Sequence, residues 1–183
     1  MTFNKNELLH VLSELTYSHI DYVKFLLQEN SERIQYKVNE KSWSAIECIE
    51  HLNLYARFYN KEIRKGIETS NFSSSDIFKS GIIGGKFAMD MLPNDKMKKM
   101  NTFKSKNPIY SKLNNEKVLL EFLDLQSELK VLLEKARTKN LTKIKTSITL
   151  PLLKFRLGDT LRFVIYHNER HIVQAKKIYR INK

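Results

Sequence analysis

Residues 44–66 read SAIECIEHLNLYARFYNKEIRKG, and the order of their apolar side chains indicates an α-helix. The apolar residues recur at three- and four-residue steps, which line one face of a helix, at Ile49, Leu52, Tyr59 and Ile63. Ser44 and Glu47 match the S-x-x-E capping box, in which each side chain bonds the backbone N–H of the other residue. Gly66 is typical of a helix end. The stretch therefore predicts a helix from Ser44 to Gly66.

Three other segments carry the same periodicity, one before this stretch and two after it. These segments predict helices at about residues 6–30, 115–139 and 159–181, in addition to the helix at residues 44–66. Asp159 or Thr160, which follow Gly158, can cap the last helix. No segment indicates a convincing sheet, although the alternating residues 144–150 can form a short strand or an extended arm. The sequence predicts an all-α four-helix bundle in a single domain, residues 1–183.

A long connection, residues 68–115, joins the second and third predicted helices. It contains helix-breaking residues at Ser73, Ser74, Ser75, Gly81, Gly84, Gly85, Pro93 and Pro108. A crossover of this length can carry the chain from one end of a bundle to the other. The second and third helices are therefore expected to run parallel.

Composition narrows the class of protein. No run of eighteen apolar residues occurs, and the first residues lack the apolar stretch of a signal peptide, so we expect a soluble, cytoplasmic protein without a membrane association. The single cysteine, Cys48, excludes an intramolecular disulfide framework and a cysteine-based zinc cluster. Any metal site must use other ligands.

The formal net charge of +12 raises the alternative of a nucleic-acid partner. The densest basic stretch lies in the crossover, at Lys96, Lys98, Lys99, Lys104, Lys106 and Lys112. Lysines are spread along the whole chain, however, and none of the helical or aromatic patterns of nucleic-acid-binding domains occurs. We therefore expect a solvated basic surface and no specific nucleic-acid partner.

The histidines are the strongest functional signal. His167 and His171 are four residues apart on the apolar stripe of the fourth helix, so both imidazoles point toward the core. Two buried imidazoles cannot both be protonated cheaply, and a divalent cation would satisfy their nitrogen atoms. His51 in the second helix is a candidate third ligand. The alternative is that the histidines form ordinary core hydrogen bonds.

Two motifs carry a resemblance to a known family. SWSAIECIEHL at residues 42–52, and GDTL at 158–161 followed by HNERHIVQ at 167–174, resemble the corresponding segments of the DinB-like (YfiT-like) superfamily. The basic linker with its Gly-Gly and Met-Leu-Pro elements is also similar, so the resemblance covers nearly the whole chain. It implies up-down-down-up helices, a metal ion held by residues that map onto His51, His167 and His171, and dimerisation through a helical face as a homodimer.

The resemblance also implies a range of activities. Members include thiol-dependent S-transferases that use bacillithiol, a mycothiol-dependent isomerase and proteins named as metal-dependent hydrolases. We expect a metal-dependent enzyme whose zinc or nickel ion activates a low-molecular-weight thiol or water against a small substrate. The alternative, from another class, is a non-catalytic metal-binding or stress-response bundle whose metal is structural or absent.

Other side chains have a chemical and a structural interpretation. Glu47 can act as a general base or only cap its helix, and Gln174 can orient a ligand or make a core hydrogen bond. Cys48 is expected to be a buried, unreactive thiol, and His19 a satisfied, partly buried histidine. Trp43 is expected to anchor the start of the second helix, and it can also wall the pocket. A set of aromatic residues is expected in the core: Tyr55, Phe58, Tyr59, Phe163 and Tyr166.

Overall fold

The computed structural model describes residues 1–94 and 102–181 of the chain. The α-helices in these residues are α1 (Lys5–Leu27), α2 (Ser31–Gln35), α3 (Ala45–Glu68), α4 (Ile82–Asp90), α5 (Asn115–Ala136) and α6 (Leu157–Ile181). The predicted all-α class is confirmed, and α1, α3, α5 and α6 correspond to the four predicted helices. Three lysines of the basic stretch, Lys96, Lys98 and Lys99, lie outside the described residues.

Two small sheets correct the expectation that the chain has none. They pair β1 (Thr2–Asn4) with β2 (Ile77–Lys79), and β3 (Lys145–Ser147) with β4 (Lys154–Arg156), both antiparallel. Each strand has three residues, which is too short for a period-two pattern to stand out from chance. The β3–β4 hairpin contains the segment for which a short strand was one expectation.

The connection between α3 and α5 has structure of its own. It contains β2, α4 and two 3-10 turns, Lys104–Lys106 and Pro108–Tyr110. Two asparagines of α3 donate to α5 carbonyls, Asn53 to Val118 and Asn60 to Leu125, each at 2.9 Å. Both positions advance by seven residues, so α3 and α5 run in the same direction, as expected from the long crossover.

The other two long helices run the opposite way. His51 and Tyr59 of α3 meet His167 and Phe163 of α6, with ring centroids 5.0 and 5.6 Å apart, so these helices are antiparallel. Along α1 and α6 the pairing order is ascending, because the pair His19–Glu169 is followed by Phe25–Tyr179. Buried apolar side chains of all four helices meet between them.

Gly66 does not end its helix. The helix continues to Glu68, and a Cβ atom at Gly66 would lie 3.1 Å from the methyl groups of both Ile144 and Thr146. The glycine therefore allows the β3 segment to pack closely against α3, which the C-cap interpretation missed.

Asp159 and Thr160 do not cap the last helix, because α6 already begins at Leu157. The buried Asp159 carboxylate instead accepts hydrogen bonds from the Ser80 hydroxyl at 2.6 Å and from the Gly81 N–H at 2.7 Å. Gly81 is the N-cap residue of α4, so Asp159 fixes the start of that helix on α6.

None of the helices in the described part of the chain is both long and apolar enough to cross a membrane.

Candidate metal centre

Helices α3 and α6 bring the three predicted ligands together. His51 comes from α3, while His167 and His171 are one turn apart on α6. One ring nitrogen of each histidine lies within 4.8 Å of the other two, and Nε2 of His51 is 3.2 Å from Nε2 of His167. Since α3 and α6 are antiparallel neighbours, residues 116 positions apart in sequence form one cluster.

Hydrogen bonds on the outer side of the cluster determine which nitrogen atoms carry protons. Nδ1 of His51 lies 2.7 Å from the carbonyl oxygen of Lys106, which can only accept, so this Nδ1 donates. Nδ1 of His171 donates to the side-chain oxygen of Gln174 at 2.9 Å. In the neutral imidazoles the Nε2 lone pairs of His51 and His171 are therefore available to a cation, as in metal sites with outer hydrogen-bond acceptors.

Burial keeps these imidazoles neutral. It lowers the pKa of His51 to about 4 and the pKa of His171 to about 3, and it lowers the pKa of His167 well below its ordinary value. Repulsion between the rings acts in the same direction for His167 and His171. All three imidazoles are therefore neutral at neutral pH, and the neutral form is the one that binds metal.

The donor set fits a divalent metal ion. Bonds of about 2.0–2.1 Å from zinc to imidazole nitrogen place neighbouring ligand atoms roughly 3.3 Å apart. Nε2 of His51 and Nε2 of His167 already lie 3.2 Å apart, and all three candidate ligand atoms lie within 4.8 Å of one another. The cluster can therefore bind a metal ion, although imidazole nitrogen does not by itself select which one.

Aromatic rings surround the imidazoles. The Trp43 ring lies 4.7 Å from that of His51 and 5.7 Å from that of His171. Tyr55 contacts His51 and His167 at 4.9 and 4.6 Å. These rings restrict the motion of the imidazoles and limit the access of water to them. Trp43 thus contributes to the wall of the site, the second of the two roles expected for it.

A cavity of about 670 Å³ opens onto the histidine cluster. Its size is that of a small-molecule binding site. Of the aromatic residues expected in the core, the cavity is lined by Tyr55, Tyr59 and Phe163, whereas Phe58 and Tyr166 do not line it. Side chains of α3 and α6 therefore form both the histidine cluster and part of the wall that faces a ligand.

The two predicted catalytic residues lie in different environments. Gln174 lines the cavity and contacts His171. Glu47 does not line it: its carboxylate accepts from the Ser44 N–H at 2.8 Å and from Lys37 Nζ at 2.6 Å. The capping box that Ser44 and Glu47 predict is present in full. The geometry thus supports the capping interpretation of Glu47 over the chemical one.

The remaining candidates lie away from the cavity. Cys48 is fully buried, and burial raises the pKa of its thiol far above the ordinary value, in agreement with an unreactive cysteine. His19 is fully buried, more so than expected, and its Nε2 lies 2.8 Å from the Glu169 carboxylate.

Lys106 is the functional residue that sequence reasoning missed. Its carbonyl accepts from His51, and its ammonium group donates to the carbonyl of Leu54 on α3. The lysine was visible only as one member of a basic stretch. A backbone acceptor leaves no pattern in side-chain types, so no signal in a single sequence would have identified it.

Comparison with known proteins gives one finding. A family model described as the DinB superfamily matches residues 3–175. This range includes all three histidines and both ends of the crossover. Searches of curated proteins and of solved structures give no match.

Proposed function

The chain belongs to the DinB superfamily, and we propose that it is an enzyme in which His51, His167 and His171 hold a zinc or nickel ion. The observation that carries the proposal is the meeting of three neutral imidazoles on the wall of a cavity of about 670 Å³. Three protein ligands leave a coordination position open, which is typical of catalytic rather than structural sites. The substrate is a small molecule.

The bound ion would supply Lewis acidity, which lowers the pKa of a thiol or of water and makes it a nucleophile at neutral pH. The protein's own residues prepare the site. Lys106 and Gln174 hold the imidazole tautomers, and Trp43 and Tyr55 limit the access of solvent. No chemistry is assigned to Glu47, because its carboxylate is engaged by Ser44 and Lys37.

Transfer of a low-molecular-weight thiol is the favoured reaction, and hydrolysis is the alternative. The chain has one cysteine, Cys48, and its thiol is buried away from the cavity. A thiol nucleophile would therefore have to be a second substrate. A buried, free thiol also supports a cytoplasmic location, where thiols stay reduced. A homodimer remains a proposal from the family resemblance.

A non-catalytic metal-binding or stress-response bundle is the second candidate. One observation favours it: the cluster joins α3 to α6 across the centre of the fold, where an ion would also stabilise the structure. The cavity favours catalysis, because a purely structural ion needs no opening to a ligand.

Elemental analysis of tag-free protein tests the metal assignment. We expect about one equivalent of zinc or nickel in the wild type and its loss in His171→Ala, because two imidazoles bind far more weakly than three. His10→Ala is the matched control, since His10 is exposed on α1. Equal metal content in His171→Ala and the wild type would refute the site.

A screen of small thiols with electrophiles, run with and without chelator, then tests the reaction. Turnover that needs both the thiol and the ion supports S-transfer. Turnover of esters or amides without a thiol supports hydrolysis. No turnover by metal-loaded protein in either screen would favour the non-catalytic bundle.

A further inference from the structure

Helix α6 forms one wall of the cavity over most of its length. Its lining residues extend from Phe163 to Ile181, a distance of about 27 Å at 1.5 Å per residue. His167 and His171 lie between these ends, so the cavity has one part on each side of the metal cluster. The two parts have different chemistry.

The part toward the start of α6 is apolar. Phe163 packs against Phe155 at 6.3 Å and against Tyr59 at 5.6 Å, and Phe155 packs against Phe87 at 5.4 Å between ring centroids. Met91 also lines this region. These rings come from α3, α4, β4 and α6, so the apolar part is built by the fold rather than by one loop.

The part toward the end of α6 carries lysines. Lys177 follows His171 by six residues, about 9 Å along the helix axis, and lines the cavity. Lys41 lines it from the loop before α3. Trp43 of the same loop packs against the cluster that contains Ala175 and Ile178 of α6, so we assign Lys41 to this part of the cavity.

The charge of the lining has one sign. No Asp or Glu side chain is among the described residues that line the cavity, and in the same part of the chain Lys41 and Lys177 form no salt bridge with a carboxylate. Both lysines are exposed to solvent. Their ammonium groups create a positive potential that favours an anionic ligand at this end.

We propose that the cavity takes an amphiphilic anion, with its carboxylate at Lys41 and Lys177 and its apolar group between Phe87, Phe155 and Phe163. The atom that reacts would then lie between the two groups, opposite His167 and His171. This inference names the substrate class of the proposed enzyme and rests on that function, but the binding itself needs no metal.

Calorimetric titration of chelator-treated protein tests the proposal, with 10-phenyldecanoate and 10-phenyldecan-1-ol as probes that share an apolar group. The longer chain is needed because Lys177 follows Phe163 by about 21 Å along the α6 axis. We expect the carboxylate to bind about threefold to fivefold more tightly than the alcohol, a ratio typical of an ion pair with exposed lysines. In Lys41→Gln/Lys177→Gln the preference for the carboxylate should fall about twofold or more, while alcohol binding stays as in the wild type. Any preference that remains comes from Arg170, the third cationic residue of the lining.

Lys176→Gln is the matched control, because it removes one positive charge at the position next to Lys177. The Lys176 side chain lies over the Tyr22 ring and does not line the cavity. It should keep the preference for the carboxylate. Equal affinities of the wild type for both probes, or an unchanged preference in the double variant, would overturn the proposal.

Titration of the zinc-loaded protein separates this result from the metal assignment. A preference for the carboxylate that appears only with zinc and survives in Lys41→Gln/Lys177→Gln would place the carboxylate on the ion and refute the lysine subsite. If the wild type holds no metal but prefers the carboxylate without it, the enzyme proposal fails and the subsite stands.

Discussion

Two hydrogen bonds orient histidines of the buried cluster. The acceptors are the backbone oxygen of Lys106 for His51 and the amide oxygen of Gln174 for His171. Each acceptor fixes one tautomer and one ring orientation, so the imidazoles lose little freedom when they bind an ion. At the scale of single residues, these outer contacts are what hold the two rings in a metal-binding orientation.

Replacing Gln174 tests whether its hydrogen bond to His171 contributes to metal affinity. Gln174→Ala should weaken zinc affinity by about tenfold to a hundredfold, because Nδ1 of His171 loses its acceptor. The measurement is competition with a chromogenic chelator at neutral pH. Gln174→Glu, which keeps an acceptor oxygen, should bind zinc at least as tightly as the wild type. Unchanged affinity in Gln174→Ala would mean that the contact with His171 does not position the ligand.

The sequence predicted part of this site. The i, i+4 spacing of His167 and His171 on an apolar stripe predicts that they share a face, because helical geometry fixes that relation locally. His51 was a candidate ligand by spacing, and only the family resemblance supported its meeting with the other two. The role of Lys106 depends on where a distant turn places a carbonyl oxygen. That is a tertiary property without a local pattern.

Asp159 links two elements that are far apart in sequence. Its carboxylate, 1% exposed, is 3.3 Å from the guanidinium of Arg162 and also accepts from Ser80 and Gly81 at the start of α4. A Cβ atom at Gly84 would lie 2.9 Å from Cβ of Asp159, so α4 can approach α6 only with a glycine there. The start of α4 is therefore held by one buried acid.

Asp159→Ala should lower the free energy of unfolding by about 3–5 kcal/mol, because Arg162 would keep a buried charge without its partner. Urea denaturation is the measurement. Glu134→Ala is the matched control, since Glu134 and Arg137 form a pair with the same i, i+3 spacing on the exposed surface. The control should cost at most about 1 kcal/mol. Equal losses in the two variants would show that burial does not determine the strength of the Asp159 pair.

The long helices were predictable and the short elements were not. Four helices of at least 22 residues repeat their apolar pattern over many turns, which makes the period clear. In α4, Gly84 and Gly85 have low helix propensity and indicated a break in the sequence. Contact with Asp159 and α6 overrides that local preference, and a pattern within one segment cannot contain such information.

At the scale of the whole molecule, different kinds of polar contact join α3 to its two neighbouring helices. Hydrogen bonds and ion pairs join α3 to α5, whereas the histidine cluster joins α3 to α6. Without a metal ion, the second junction consists of buried imidazoles that resist protonation. The stability of the metal-free protein should therefore depend on pH.

Below pH 6.5 an unfolded chain binds protons at its histidines, whereas the folded chain does not do so at His51 until about pH 4. Unfolding then takes up protons, so acid favours the unfolded state. The free energy of unfolding of metal-free protein should be constant near pH 7.5 and fall by roughly 2 kcal/mol at pH 5 for each of His51 and His171.

Chemical denaturation of chelator-treated protein between pH 5 and 8 measures this dependence. His51→Gln should have a flatter profile, and His10→Gln, which alters an exposed side chain, should follow the wild type. A wild-type profile that is flat from pH 7.5 to 5 would contradict burial of neutral imidazoles.

The separation of His51 and His167 along the chain also determines when, during synthesis, the site can form. A chain that is still being synthesised contains one of the three ligands until α6 leaves the ribosome, and 116 positions separate that ligand from the next. An ion that joins them closes a loop of this length, which constrains the unfolded chain as a cross-link does. If all three histidines hold the ion as proposed, it can bind only after synthesis has passed His171, and a metal-loaded chain would be one that has been made and folded through α6.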